Sequence, residues 1–147
     1  MTCHRGAMPP VLNQINLVVA DIPAATAFYR RLGVDMPDGE VHVQAELPGL
    51  SLELDDPTSA RWWHAAWRAS PGPRAVLTFA VEERSEVDTI YGDLTSAGYE
   101  GRQPPFDAFF GARYAIVADP DGNDVAIMSA AEPERRVWPP DGESPAP

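Results

Sequence analysis

The sequence is poor in cysteine, in basic residues and in long apolar runs. Its one cysteine, Cys3, excludes both a disulfide framework and a cysteine-based zinc site. With 11 basic against 22 acidic residues the formal net charge is -11, which opposes nucleic acid and anionic membrane at long range. No apolar run approaches the roughly 18 residues that a transmembrane helix needs, and the N-terminal MTCHRGAMPP lacks the apolar stretch of a signal peptide. We therefore expect a cytoplasmic protein whose partner is a small molecule or another protein.

Two different periodicities follow one another in LNQINLVVADIPAATAFYRRLGV, near the N-terminus. Ile15, Leu17 and Val19 alternate with other residues, which predicts a half-buried strand. After Asp21 the spacing becomes helical, from a start at Pro23 to a stop at Gly33. The apolar residues at that spacing are Ala24, Ala27, Phe28 and Leu32. The segment therefore predicts a strand followed by an amphipathic helix.

The same pattern recurs 62 positions later, in AVLTFAVEERSEVDTIYGDLTSAGY. Leu77, Phe79 and Val81 fall on the apolar strand positions, and Ile90, Tyr91 and Leu94 fall on Phe28, Tyr29 and Leu32. Registers that coincide through a strand and most of a helix indicate an internal duplication.

Each repeat continues into a predicted hairpin. VHVQAELPGLSLELDD turns at Pro-Gly, and ARYAIVADPDGNDVAIMS turns at Asp119-Pro-Asp-Gly-Asn123. Segments around Val34 to Asp38 and Gly101 to Phe110 would supply one further strand per repeat. We divide the chain into a flexible N-terminal tail (1–10), a first βαβββ module (11–56), a Trp-rich linker (57–73), a second βαβββ module (74–130) and a Pro- and acid-rich C-terminal tail (131–147). The modules together form one α+β domain.

These features resemble the vicinal oxygen chelate superfamily, which includes glyoxalase I, extradiol dioxygenases, fosfomycin-resistance enzymes and bleomycin-resistance proteins. The resemblance rests on the repeat, on VVADIPAATAFYRRLG and on GARYAIVADPDGNDVAIMS, and covers about Leu12 to Ser129. It implies two βαβββ modules that form a cupped mixed β-sheet, with the helices on the convex face and the ligand on the concave face.

The resemblance also locates the family's metal ligands, a His on the first strand and a Glu on the last strand of each module. The corresponding residues here are Gln14, Val76, Glu53 and Ala126, so one carboxylate is left. Catalytic zinc sites typically keep three protein ligands, and valine and alanine cannot ligate. We therefore interpret the chain as a metal-free member with vestigial ligand positions and without a cofactor.

Strand parity and resemblance together predict the concave face. Parity puts Gln14, Asn16 and Val18 there, with Val76, Thr78, Ala80, Asp124, Ala126 and Met128 as their counterparts. A two-residue Pro-Gly turn would set Gln44 opposite Glu53 and His42 opposite Asp55. By resemblance to the fosfomycin-resistance pattern, Tyr114 points at the ligand. This mixture suits a polar, aromatic or cationic ligand.

Three of the four tryptophans lie in the linker segment SARWWHAAWRASPGP. Trp63 and Trp67 are spaced i, i+4, so a helical turn would put both on one face. One interpretation is a packing plug against the sheet or a second subunit. The other is an aromatic lid over the ligand, which Phe109 and Phe110 would close from the second module. In the C-terminal tail, Trp138 would dock on the body or on a partner.

Two functions remain open. The first is a metal-independent binding protein, a homodimer that sequesters an antibiotic or another natural product, and we favour it. The alternative is a glyoxalase- or dioxygenase-like enzyme, either metal-dependent through His42, Glu53 and His64 or metal-free with His42 or Tyr114 as acid-base catalyst. The predicted ligand-binding residues are Gln14, Asn16, His42, Gln44, Glu53, Trp62, Trp63, Trp67, Thr78, Phe110, Tyr114 and Ala126.

Overall fold

The computed structural model describes Pro9, residues 12–69 and residues 75–137. The elements in chain order are β1 (Gln14–Val18), α1 (Ile22–Arg31), β2 (His42–Leu47), β3 (Leu50–Asp55), α2 (Pro57–Trp63), β4 (Val76–Ala80), α3 (Arg84–Ser96), β5 (Gly101–Asp107), β6 (Arg113–Ala118), β7 (Asp124–Met128) and a 3-10 turn (Pro133–Arg135). The strands form two mixed sheets, ordered β1-β3-β2 and β4-β7-β6-β5. The predicted α+β fold class is confirmed.

The first helix begins and ends at local signals in the sequence. The Asp21 side chain accepts a hydrogen bond from the Ala24 N–H at the N-terminus. Beyond the C-cap, Gly33 adopts a φ of 88°, a conformation that other residues reach only with strain. The buried face differs from the predicted one, because Ala27 is exposed. The residues that are buried are Ile22, Ala25, Thr26, Phe28 and Tyr29.

The β2–β3 hairpin has the predicted register. Pro48 and Gly49 form its two-residue turn, and the Gly49 φ of 83° suits the second central position of a type II turn. His42 therefore pairs with Asp55, and Gln44 pairs with Glu53.

The predicted strand at Val34 to Asp38 is absent from the described structure. The guanidinium group of Arg30 donates to the carbonyl oxygen of Met36 at 2.9 Å and 2.5 Å, so this carbonyl has a side-chain partner in place of a strand partner. The first module is consequently βαββ. The corresponding prediction in the second module is confirmed by β5.

The two modules repeat in register. β1 runs parallel to β3 with Asn16 opposite Glu53, and β4 runs parallel to β7 with Thr78 opposite Ala126. The structure therefore pairs residues 62 positions apart in equivalent places, as the sequence repeat predicts.

The modules share one core and meet at the Asp119–Asn123 turn. Tyr29 donates its hydroxyl to Asp119 at 2.7 Å, and the Ala20 N–H donates to Asp121 at 2.8 Å. Burial, followed by the charge of Asp119, raises the pKa of Tyr29, so this hydroxyl keeps its proton. Phe28 also packs edge-on against Tyr99, with ring centroids 4.9 Å apart. This turn therefore fastens the second module to the first.

The linker begins as a helix that rests on β3. Asp56 caps α2 by accepting from the Ser59 N–H at 2.9 Å, and Ser59 and Ala60 are buried. The helix ends at Trp63, because His64 is extended with φ -143° and ψ 86°. The predicted i, i+4 helical pair of Trp63 and Trp67 is therefore wrong.

Several predictions fall on residues that the structure does not describe. Cys3, most of the N-terminal tail, part of the linker and Trp138 lie outside the described residues. Within the described ranges, no helix is both long and apolar enough to cross a membrane.

Candidate functional site

A cavity of about 580 Å³ opens on the first module, between the sheet and α2. It is lined by Gln14, Asn16, His42, Glu53, Asp55, Ser59, Trp62 and Trp63. Six of the predicted ligand-binding residues are in this lining, namely Gln14, Asn16, His42, Glu53, Trp62 and Trp63. The structure thus brings together the first-strand, hairpin and linker residues. Its floor is polar and its wall is aromatic.

Asp55 is the centre of the hydrogen bonds in the floor. It is 1% exposed, and its carboxylate accepts from Ser59 Oγ at 2.6 Å, Asn16 Nδ2 at 2.9 Å and Trp63 Nε1 at 3.3 Å. His42 Nδ1 lies 2.8 Å from the same carboxylate. Burial alone would raise the pKa of Asp55, but these hydrogen bonds outweigh it and lower the pKa below its ordinary value. Asp55 is therefore a carboxylate that stays charged in a buried position.

His42 lies between two acidic side chains. Its Nε2 is 3.3 Å from Glu53 Oε1, while its Nδ1 contacts Asp55. Glu53 is 6% exposed and also accepts from Ser51 Oγ at 3.0 Å. His42 itself is 38% exposed at its side chain, so the imidazole is accessible from the cavity. The structure thus gives His42 the orienting acid that a proton-transfer role requires.

Two tryptophans form the wall. Trp62 is 73% exposed and Trp63 is 55% exposed, both high values for such large apolar side chains. Trp63 is anchored by its N–H on Asp55, so the acidic floor sets the position of one ring of the wall. Trp67 is not part of this lining. Its ring lies under the Arg61 guanidinium, 5.6 Å from the centroid.

Gln44 lies in a neighbouring polar depression rather than in the main cavity. This depression has a volume of about 420 Å³ and shares Gln14 with the main cavity. Gln44 donates to Glu46 at 2.6 Å. The predicted polar face of the first module therefore continues along the sheet beyond the cavity.

The second module carries the other predicted residues on an apolar face. Thr78 pairs with Ala126, Ile116 also pairs with Ala126, and Tyr114 pairs with Met128, so these residues share one side of the sheet. Tyr114 packs edge-on against Phe106 and Phe110, with ring centroids 6.2 Å and 5.5 Å away. Burial, with a smaller contribution from the charge of Asp124, raises the pKa of Tyr114. Tyr114 is thus held in an aromatic cluster, away from the cavity lining of the first module.

The family's four metal-ligand positions do not fit a metal ion here. Val76 and Ala126 have no donor atom, and Ala126 is fully buried. Gln14 donates its amide to Asn16 at 2.6 Å, and Glu53 is held by Ser51 and His42. In residues 12–69 and 75–137 no group of three or more His, Cys, Asp or Glu side chains is placed to hold a metal ion, so the alternative set of His42, Glu53 and His64 is not assembled.

Sequence reasoning missed two residues of the floor. Asp55 was predicted opposite His42 but was not assigned to the site, and Ser59 was not considered. The signal for Ser59 is the cap of α2, because Asp56 and Pro57 start a helix whose first turn places Ser59 against β3.

Two βαβ-type modules, a cupped pair of mixed sheets and a cavity on the strand face define a small-molecule-handling fold of the vicinal oxygen chelate type. The family model described as the Glyoxalase/Bleomycin resistance protein/Dioxygenase superfamily matches residues 11–127, and the chain belongs to this family. No curated protein matches the chain.

Solved structures show the same fold. A glyoxalase/bleomycin resistance protein/dioxygenase family enzyme from Burkholderia phytofirmans PsJN has a TM-score of 0.74 at 19% identity, over 82% of this chain and 98% of its own. A family member from Nocardioides has a TM-score of 0.71 at 24% identity, over 87% and 88%. A lactoylglutathione lyase from Agrobacterium tumefaciens has a TM-score of 0.63 at 23% identity, over 83% and 95%. At these identities the likeness concerns the fold alone.

Proposed function

We propose that the protein binds a flat, cationic small molecule in the first-module cavity, without a metal ion. The observation that carries the proposal is the pairing of buried carboxylates with exposed tryptophans around one cavity. Trp62 and Trp63 offer aromatic faces, which attract planar rings and cations. Asp55 and Glu53 supply negative charge below them. A ligand with an aromatic ring and a positive charge satisfies both.

Sequestration of a natural product such as an antibiotic is the role we propose for this binding. A cavity of about 580 Å³ is within the size range of small-molecule sites. The formal net charge of -11 attracts cations at long range, which favours capture of a positively charged compound.

Tryptophan fluorescence tests the proposal. We expect N-methylacridinium to quench the protein and to bind more tightly than neutral acridine, its uncharged counterpart of the same shape. Substituting Trp62→Ala should weaken binding of the cation by roughly tenfold, since about 1 to 2 kcal/mol of stacking is removed. Trp67→Ala is the matched control, because Trp67 lies outside the cavity lining. Equal affinity for the two ligands, or no quenching by either, contradicts the proposal.

We also propose that the protein is a homodimer. β4 is an edge strand, and its outward side exposes Val76, Thr78 and Ala80, with Val76 48% exposed. A second copy would cover this small apolar surface. Sedimentation equilibrium should give twice the chain mass, and Val76→Glu should shift the mass toward that of a single chain. A monomer at all concentrations contradicts this part of the proposal.

A further inference from the structure

Asp55 determines which nitrogen of His42 is basic. Because Asp55 is ionised, it accepts a hydrogen bond and does not donate one, so the proton on this side belongs to His42 Nδ1. The other nitrogen, Nε2, lies 3.3 Å from Glu53 Oε1. A lone pair and a carboxylate oxygen do not attract each other. Nε2 and Oε1 are therefore best satisfied by one proton that either group can carry.

We propose that His42 and Glu53 use this shared proton to interconvert the keto and enol forms of a carbonyl compound in the first-module cavity. The inference rests on the proposed function, since it requires a flat ligand stacked on the tryptophan wall. Both side chains line that cavity, together with Trp62 and Trp63. The proton-transferring groups and the stacking surface thus face the same ligand.

The transfer needs no other reactant. Glu53 takes a proton from the carbon next to the carbonyl, and the electrons of that C–H bond form the C=C bond of the enol. The π electrons of the C=O group take the proton from His42 Nε2 and form the enol O–H bond. The imidazolium–carboxylate pair becomes an imidazole and a carboxylic acid, and the reverse steps restore it. Only one atom separates the reacting carbon and oxygen of the ligand, so two groups 3.3 Å apart can reach both.

The charge of the floor selects the class of substrate. Asp55, Glu53 and His42 are the ionisable side chains in the cavity lining, and together they carry net negative charge even when His42 is protonated. An anionic keto acid is repelled by this floor. A neutral or cationic aryl ketone is accepted, and a positive charge beside the reacting carbon makes its C–H more acidic. Aryl ketones with an adjacent ammonium group are therefore the substrates we expect.

Asp55 is a positioning residue in this scheme. It holds the imidazole by Nδ1 and does not touch the ligand carbonyl. Replacing Asp55 with Asn keeps the shape and removes the charge that stabilises the imidazolium. We expect the saturated rate to fall about tenfold while the half-saturating ligand concentration changes by less than about twofold. A purely structural role would alter both together.

Deuterium exchange tests the proposal with phenacyltrimethylammonium as the probe. This compound has a flat aryl ketone, a cation and exchangeable C–H bonds between them. Proton NMR in D2O measures the exchange, and tryptophan quenching measures binding in the same samples. We expect His42→Asn and Glu53→Gln each to slow the exchange by roughly 100-fold or more. His64→Asn is the matched control, since His64 is the other histidine of the described residues and does not line the cavity.

The outcomes separate catalysis from binding. Exchange that depends on His42 and Glu53 but not on His64 supports the inference. Saturable quenching with exchange no faster than in His42→Asn overturns the inference and leaves the proposed binding function intact. Absence of quenching at any probe concentration overturns both. Circular dichroism of each variant confirms that it is folded, and because His42 is partly exposed its replacement is compatible with the fold.

Discussion

The two modules keep the same register but present opposite chemistry on their cup faces. Glu53 in the first module corresponds to Ala126 in the second, Asp55 to Met128, and His42 to Tyr114. On the other face of the same strands the residues agree in character, with Leu54 corresponding to Ile127 and Leu52 to Val125, all of them almost fully buried.

The comparison shows which side of a duplicated strand is constrained by folding. Residues beneath the helices must remain apolar because the shared core excludes water. Residues on the cup face have no such constraint, so one module has a polar site and the other an aromatic surface. Tests of this difference exchange or remove the residues that distinguish the two faces.

The largest effect is expected from placing the first module's acid in the second. Ala126→Glu buries a carboxylate where no partner is present, and the free energy of unfolding should fall by about 4 kcal/mol. The reciprocal change, Glu53→Ala, removes a carboxylate held by Ser51 and His42 and should cost only about 1 kcal/mol. Urea denaturation measures both, and similar losses would show that the two faces are equivalent.

The next effect is expected at Asp55. Asp55→Ala leaves Ser59, Asn16 and Trp63 without their acceptor in a buried place and should lower the free energy of unfolding by about 3 kcal/mol. Met128→Ala, at the equivalent and partly exposed position, should cost about 1 kcal/mol. A larger loss at Met128 in urea melts would reverse the comparison.

Acid should affect the first module through the same residue. Because the folded pKa of Asp55 lies below its ordinary value of 3.8, its contribution to stability is complete above that value and is lost as the pH falls through the folded pKa. The difference in unfolding free energy between the unaltered protein and Asp55→Ala should therefore narrow below about pH 4. A difference that stays constant to lower pH would contradict the assigned direction.

The smallest effect is expected between the helices. Thr26 Oγ1 is buried and, among the described residues, has no hydrogen-bond partner. Thr26→Val should raise the free energy of unfolding by about 1 kcal/mol. The equivalent residue 62 positions later is Asp88, which pairs with Arg113 at 2.8 Å on the surface, and Asp88→Ala should lower stability by less than about 1 kcal/mol. Thermal melts compare the two signs.

Most of the strand architecture was predictable because its causes are local. The alternation of β1 and the two-residue turn at Pro48 and Gly49 specify faces and register without any knowledge of the rest of the fold. The segment after α1 shows the limit of this reasoning. Val34 and Met36 are buried with an exposed residue between them, as in a strand, but the Met36 carbonyl is bonded to Arg30 and pairs with no neighbouring strand.

The site was harder to predict because its contacts come from distant elements. The pairing of His42 with Asp55 follows from the hairpin alone. The bonds from Asn16 and Ser59 to Asp55 depend on the parallel strand and on α2, so a single stretch of sequence does not show that Asp55 is the centre. Trp67 was misplaced because the helical spacing of the tryptophans extends beyond the end of the helix.

The contacts of the Asp119–Asn123 turn bear on how the chain acquires its structure during synthesis. Tyr29 and Ala20 find their partners at Asp119 and Asp121, 90 and 101 residues further along the chain. A nascent first module that has left the ribosome alone therefore has a tyrosine hydroxyl without its acceptor and an incomplete core. The half of the protein that carries the cavity is made first and completed last.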